Sequence, residues 1–199
     1  MDNQALADAG ADFLARDFEQ SFEQSRHYDD QLWSVCQFAF TGYTTVIPIA
    51  IGLFEYSAQT LVSAAVALLA VSFVLGLFLF AVMIRNRVYF VFVTRYLNEH
   101  RDFFLKAKPL GFENTTQMFT DRTKPPFFDW RSSEAWLFYI VGLLNSLAAG
   151  SAIWMLFSSW PYLWVVTASI FVVIFVAQVW VAVSYLGSRE GRSASDAVF

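Results

Sequence analysis

The sequence predicts an all-α polytopic membrane protein with four transmembrane helices in two hairpins and a cytoplasmic helical stalk. Of its 199 residues, 57% are apolar and only 15% are charged, whereas a soluble domain has about 25% charged residues. The apolar residues form four uncharged stretches, each near or above the roughly 20 residues with which a helix crosses a bilayer. These predicted spans are 36–54, 61–84, 135–157 and 162–186.

Positive charges indicate the orientation of these spans. All 13 Lys and Arg residues lie before the first span, between the second and third, or after the fourth. The only charge between the first two spans is Glu55, and the link between the last two carries none. Because Lys and Arg stay on the cytoplasmic side, we expect a bacterial inner-membrane protein with both termini in the cytoplasm.

This orientation divides the chain into five parts. They are an acidic N-terminal cytoplasmic helix (1–35), a first transmembrane hairpin (36–84), a cytoplasmic helix extension with a Pro-containing loop (85–131), a second transmembrane hairpin (132–186) and a flexible cytoplasmic tail (187–199). The run 85–105 contains no Gly or Pro, so span two is predicted to continue as one helix of about 45 residues. The acidic helix, with Leu14, Phe18 and Phe22 at helical spacing, would run antiparallel beside it.

Basic residues of the extension have two expected roles. Arg85 and Arg87 should lie at the inner headgroup level, where they attract anionic lipid. Arg95 and Arg101 are expected in the stalk, with Arg95 in an ion pair or in contact with a headgroup. Spacing of four residues favours the helical pairs Arg95–Glu99 and Asp102–Lys106.

Span one carries a polar stripe. Its members share one helix face because they are three or four residues apart: Gln37, Thr41, Thr45, Pro48, Gly52 and Glu55. Polar groups in hydrocarbon turn toward protein or water, so the stripe could line a pore formed by several copies, with Pro48 as a hinge. The alternative is a polar packing seam inside one four-helix bundle, with threonine hydroxyls bonded to their own backbone.

Span three carries a ridge of small residues at every fourth position, Gly142, Ser146 and Gly150. Such a ridge lets another helix approach closely. Asn145 lies beside it, and Gln178 in span four is a candidate hydrogen-bond partner. The sequence leaves open whether the helix on this ridge belongs to the same chain.

We expect no enzyme, no cofactor, no metal site and no bound nucleic acid. Arg95 and His100 have the R-x-x-x-x-H spacing of HEPN-type ribonucleases, but 85–131 is too short for that soluble helical bundle. The chain has no Gly-rich phosphate loop or metal-spaced Cys and His group, and nothing pairs a nucleophile with a base. Catalytic residues are therefore not assigned.

Three short segments carry a resemblance: Arg26-His27-Tyr28-Asp29-Asp30-Gln31-Leu32-Trp33, Arg85-Asn86-Arg87, and Arg95-Tyr96-Leu97-Asn98-Glu99. With the order of acidic helix, hairpin, stalk and second hairpin, the chain resembles small four-span membrane proteins of bacterial anti-phage defence systems. Examples are the membrane subunit of the Kiwa system and the four-span effectors of nucleotide-signalling defence. The resemblance implies an oligomer that senses or executes membrane disturbance with a cytoplasmic partner, and it transfers no catalytic residue.

The function expected from these features is that of an oligomeric inner-membrane effector or channel-like subunit. A cytoplasmic signal or protein partner would act on the stalk, and stalk movement would reach span one through Pro48. The main alternative is a non-conducting scaffold that recruits a cytoplasmic partner to the bilayer. A small transporter with Glu55 or Gln178 in its path is a third possibility, which a single small bundle per chain disfavours.

Overall fold

The chain folds into four α-helices. The computed structural model describes residues 3–56, 58–106, 108, 111–117 and 119–191, with the backbone alone for residues 3–8. The helices are α1 (Asn3–Glu55), α2 (Gln59–Lys106), α3 (Ser133–Leu156) and α4 (Leu163–Gly187). The described ranges contain turns and loops but no strand, so the all-α prediction is confirmed.

Two of the helices are much longer than a membrane span. α2 has 48 residues and agrees with the single long helix predicted to continue from span two. α1 has 53 residues. It is one continuous helix that includes both the predicted acidic N-terminal helix (1–35) and the first predicted span (36–54). No Gly or Pro lies near that division, and Pro48, farther along, lies within the helix.

All four helices are long and apolar enough to cross a membrane. Local signals explain where the two shorter ones begin and end. Ser132 caps the N-terminus of α3, where its hydroxyl accepts a hydrogen bond from the Ala135 N–H at 3.1 Å. Pro161 lies in the turn between α3 and α4, two residues before α4 begins.

The chain divides into two compact units. The first comprises Met1–Gln31, Asn86–Phe127 and Arg189–Phe199, and the second comprises Leu32–Arg85 and Phe128–Ser188. The second unit contains all four predicted spans. The first contains most of the acidic and basic segments that the sequence analysis places in the cytoplasm.

In the first unit, α1 and α2 run antiparallel. Ser25 and Thr94 share a hydrogen bond of 3.2 Å between their hydroxyls, and the Tyr96 hydroxyl donates to Asp17 at 2.7 Å. As residue numbers rise along α1, the numbers of the contacted α2 residues fall. The antiparallel arrangement predicted for these two segments is therefore present in this unit.

The C-terminal tail is expected to be flexible, and its residue Glu190 makes contacts within the first unit. Glu190 pairs with Arg95, and its other carboxylate oxygen accepts the Phe127 N–H at 3.4 Å. Residues 192–199 of the tail, and Pro109 of the loop, lie outside the described residues.

Candidate functional site

One face of α1 packs inside the second unit. Its buried residues are spaced three, four or seven apart: Leu32, Cys36, Ala39, Tyr43 and Ala50. Tyr43 and Ala50 belong to an apolar cluster with Ala65 and Leu69 of α2 and with Ala148 of α3. This face is therefore the packing seam of α1 within the chain.

The polar stripe lies on the other side of α1. At 100° per residue, its members are centred roughly 180° from the buried seam. Gln37, Thr41, Thr45, Pro48 and Glu55 are exposed, and Gly52 is half-buried. Within the single chain the stripe is therefore not the packing seam of α1, which small and apolar residues form instead.

Hydrogen bonding along the stripe is incomplete within one chain. The Thr45 hydroxyl donates to the Thr41 carbonyl at 2.9 Å, and the neighbouring Thr44 hydroxyl donates to the Phe40 carbonyl at 2.9 Å. The Gln37 amide has no partner among the residues that the structure describes. An unpaired amide is costly in hydrocarbon, so at Gln37, near the cytoplasmic end of the predicted span, we expect the amide to bond to water or to protein outside the single chain.

A buried polar network joins all four helices of the second unit. The Tyr43 hydroxyl of α1 lies 2.8 Å from the Ser72 carbonyl of α2 and 2.6 Å from Asn145 Oδ1 of α3, and these two acceptors share its one hydrogen. Asn145 Nδ2 donates to Gln178 Oε1 of α4 at 2.6 Å. Gln178 Nε2 in turn donates to the Ile174 carbonyl at 3.2 Å. The candidate pair Asn145–Gln178 is therefore in direct contact, within one chain.

Gly76 of α2 makes room for this network. A Cβ at this position would overlap the Tyr43 hydroxyl and Asn145 Oδ1. Only glycine lets both polar groups lie against the α2 backbone. Sequence reasoning missed Tyr43 and Gly76; the available signals were a hydroxyl inside span one and a lone glycine near the middle of span two.

The small-residue ridge of α3 packs within the chain. A Cβ on Gly142 would lie 3.6 Å from the Phe175 ring, and one on Gly150 would lie 3.5 Å from Thr167 Cγ2. Ser146 is fully buried, and its hydroxyl donates to the Gly142 carbonyl at 2.7 Å. The helix against this ridge is therefore α4 of the same chain.

Two arginines of the first unit bind backbone carbonyls. Arg87 is only 3% exposed and donates to the Phe127 carbonyl at 3.2 Å and to the Pro126 carbonyl at 3.0 Å. Arg95 donates to the Pro125 carbonyl at 3.1 Å and pairs with Glu190. The guanidinium of Arg87, for which a headgroup contact is expected, is instead enclosed by the Pro-containing loop. Arg85, in the second unit, is exposed.

Only one of the two helical ion pairs expected from spacing forms. Lys106 lies 2.8 Å from Asp102, and Arg122 pairs with the same carboxylate at 3.0 Å. These two hydrogen bonds hold the pKa of Asp102 below its ordinary value. Arg95 pairs with Glu190 instead of Glu99, and Glu99 pairs with Arg122 at 3.0 Å.

Arg101 and His100 pack among aromatic rings. The Arg101 guanidinium lies 5.6 Å from the centre of the Phe18 ring and 5.3 Å from that of Phe119, and partial burial lowers its pKa. His100 is 8% exposed, stacks on Phe18, and has Nε2 3.4 Å from Asp17. Hydrogen bonding to Asp17 raises the pKa of Tyr96.

The described residues contain no group of three or more His, Cys, Asp or Glu side chains arranged to hold a metal ion. No protein-family model, curated protein or solved structure matches the chain. Among the candidate site residues, those of the polar stripe on α1 are mostly exposed to the surroundings of the chain.

Proposed function

We propose that the chain is a subunit of a homo-oligomeric effector or channel in a bacterial inner membrane. The observation that carries this proposal is the exposed polar stripe on α1, opposite the seam that packs inside the chain. Copies inserted in one bilayer share an orientation. The same stripe of neighbouring copies can therefore meet around a common axis, where it contacts either protein or a water-filled pore.

The proposed topology is two transmembrane hairpins with both termini and a helical stalk in the cytoplasm. The distribution of the 13 Lys and Arg residues supports it, because such residues are retained on the cytoplasmic side. The stalk would consist of the antiparallel α1 and α2 segments of the first unit. A signal or protein partner that acts on this segment of α1 would reach the stripe along the same helix, with Pro48 as the point of bending.

The proposal assigns no catalytic role. The spacing of Arg95 and His100 suggests a nuclease, but both side chains are engaged within the first unit. Arg95 is held by Glu190 and the Pro125 carbonyl, and His100 is buried against Phe18. A transporter path through Gln178 is disfavoured because this amide is bonded inside the four-helix network.

Phage defence is proposed as the biological setting on the resemblance described above. The genes next to this one provide a direct test. Neighbours that encode nucleotide-signalling enzymes or other defence proteins would support this setting. A metabolic or housekeeping operon would contradict it without affecting the proposed architecture.

A non-conducting scaffold is the second candidate, and the exposed aromatic side chains of the first unit favour it. Phe13 is 66% exposed, Phe103 62% and Phe119 58%. Exposed apolar side chains that adjoin one another in a patch are typical of protein-interaction surfaces, and these three residues are candidates for such a patch. A cytoplasmic partner could dock there whether or not the oligomer conducts ions.

Ion flux from liposomes that contain the purified protein tests the channel proposal. Thr45→Leu and Gln37→Leu are each expected to reduce the flux by about tenfold or more, because they remove polar groups from the proposed pore wall. Phe78→Leu is the matched control: this residue is 65% exposed on α2, a different helix from the one that carries the stripe, so flux should persist. Unchanged flux in both stripe variants would contradict the pore. No flux under any condition, with a stable co-purifying cytoplasmic protein, would favour the scaffold.

A further inference from the structure

The polar stripe on α1 ends in a single acidic residue. Glu55 is the last residue of α1, it is exposed, and it lies on the stripe face. No Lys or Arg occurs from residue 31 to residue 84, and the link between α3 and α4, residues 157–162, is uncharged. In the proposed topology, each copy therefore contributes one carboxylate and no base to the outer side of the membrane.

Two exposed threonines near the middle of the span present hydroxyl oxygens rather than hydroxyl hydrogens to their surroundings. Thr45 donates to the Thr41 carbonyl at 2.9 Å. The adjacent Thr44 donates to the Phe40 carbonyl at 2.9 Å. Because a hydroxyl has one hydrogen, a hydroxyl bonded in this way can only accept a bond from outside the helix. These oxygens can contact a cation or its hydrating water, but they offer no donor to an anion.

The bases of the second unit do not belong to the helix that carries the stripe. They are Arg85 of α2 and Arg131, which precedes α3. The proposed topology places both on the cytoplasmic side, whereas Glu55 lies at the opposite end of the span. The Gln37 amide has a donor as well as an acceptor and so favours neither sign of charge. The stripe therefore combines neutral oxygen acceptors with one carboxylate and has no positive charge.

We infer that the channel passes small inorganic cations in preference to anions, and that Glu55 at its outer entrance sets this preference. This inference rests on the proposed function, because it requires the stripes of several copies to face a common water-filled axis. Rings of Asp or Glu are typical of cation channels, whereas rings of Arg or Lys are typical of anion pores. A ring of Glu55 carboxylates would concentrate cations at the entrance and repel anions.

The reversal potential of the purified full chain in planar bilayers, under a gradient of KCl, tests the inference. The wild type is expected to be about tenfold or more permeable to K⁺ than to Cl⁻. Glu55→Gln removes the charge of the ring and should lower this ratio by about threefold or more, whereas Glu55→Asp keeps the charge and should preserve the ratio. Ser159→Lys is the matched control for Glu55→Gln: it makes the same change of one charge at an exposed position of the turn between α3 and α4, so the ratio should stay near that of the wild type.

The outcomes separate this inference from the proposed function. A preference for K⁺ that falls in Glu55→Gln but not in Glu55→Asp or Ser159→Lys would support the inference. A wild type that conducts without preferring K⁺, an unchanged ratio in Glu55→Gln, or an equal shift in Glu55→Gln and Ser159→Lys would overturn it and leave the channel proposal intact. A wild type that passes no ions would refute the channel proposal and this inference with it. Size exclusion in detergent checks that each variant assembles as the wild type does.

Discussion

Replacing Gly76 with alanine is expected to destabilise the second unit by about 2–3 kcal/mol. The added methyl group would overlap the Tyr43 hydroxyl and Asn145 Oδ1, so both groups must move from the α2 backbone. The network would then lose the hydrogen bond from Tyr43 to the Ser72 carbonyl, or the one to Asn145. Thermal unfolding in detergent, followed by fluorescence-detected size exclusion, measures the loss.

Two further variants separate overpacking from a general effect of alanine in a helix. Gly42→Ala and Gly52→Ala in α1 are matched controls, because a Cβ at either position would meet no atom within 4 Å. Both should leave the midpoint unchanged or raise it, since alanine is a better helix former than glycine. If Gly76→Ala were as stable as these controls, Tyr43 and Asn145 could not lie against the α2 backbone as described.

Replacing Asn145 with leucine is expected to cost about 1–3 kcal/mol. The change removes an acceptor from the Tyr43 hydroxyl and leaves Gln178 Oε1 without the donor that lies 2.6 Å away. An unpaired carbonyl oxygen inside an apolar bundle carries a desolvation penalty. The same unfolding assay, or steric trapping in bilayers, measures this loss.

A second substitution shows whether this loss of stability comes from the unpaired side-chain amide of Gln178. Asn145→Leu combined with Gln178→Leu removes both amides, and we expect the double variant to be more stable than the sum of the two single losses predicts. Additive losses would contradict a direct bond between the two side chains. Ser169→Leu, at an exposed position of α4, is the control for adding leucine to that helix.

Features that depend on local sequence could be predicted well. The length of α2 follows from the absence of Gly and Pro between the end of span two and the central loop. The face of α1 that holds Gln37, Thr41 and Thr45 could be recognised from spacing alone. Whether that face packs inside the chain or is exposed could not be predicted. Spacing shows which residues share a helix face, but it does not show which face packs against the other helices.

Contacts to backbone carbonyls and to the C-terminal tail could not be predicted from the sequence. The partners of Arg87 are the backbone carbonyls of Pro126 and Phe127. Every residue has a backbone carbonyl, so the residue types do not indicate which carbonyls an arginine will bind. The partner of Arg95 is Glu190, 95 residues away, although Glu99 lies one turn along the same helix. In the second unit, Asn145 and Gln178 could be paired because few polar side chains occur in the spans.

Cross-linking of single cysteines in membranes tests most directly whether the polar stripes of neighbouring α1 helices meet at a shared axis. Cys36, the chain's one cysteine, is buried, and Cys36→Ala provides the background. A short bifunctional maleimide should join Thr41→Cys into dimers and larger species, whereas Val74→Cys, at a position 64% exposed on α2, should stay largely monomeric. Efficient cross-linking at residue 74 with none at residue 41 would contradict the proposed assembly.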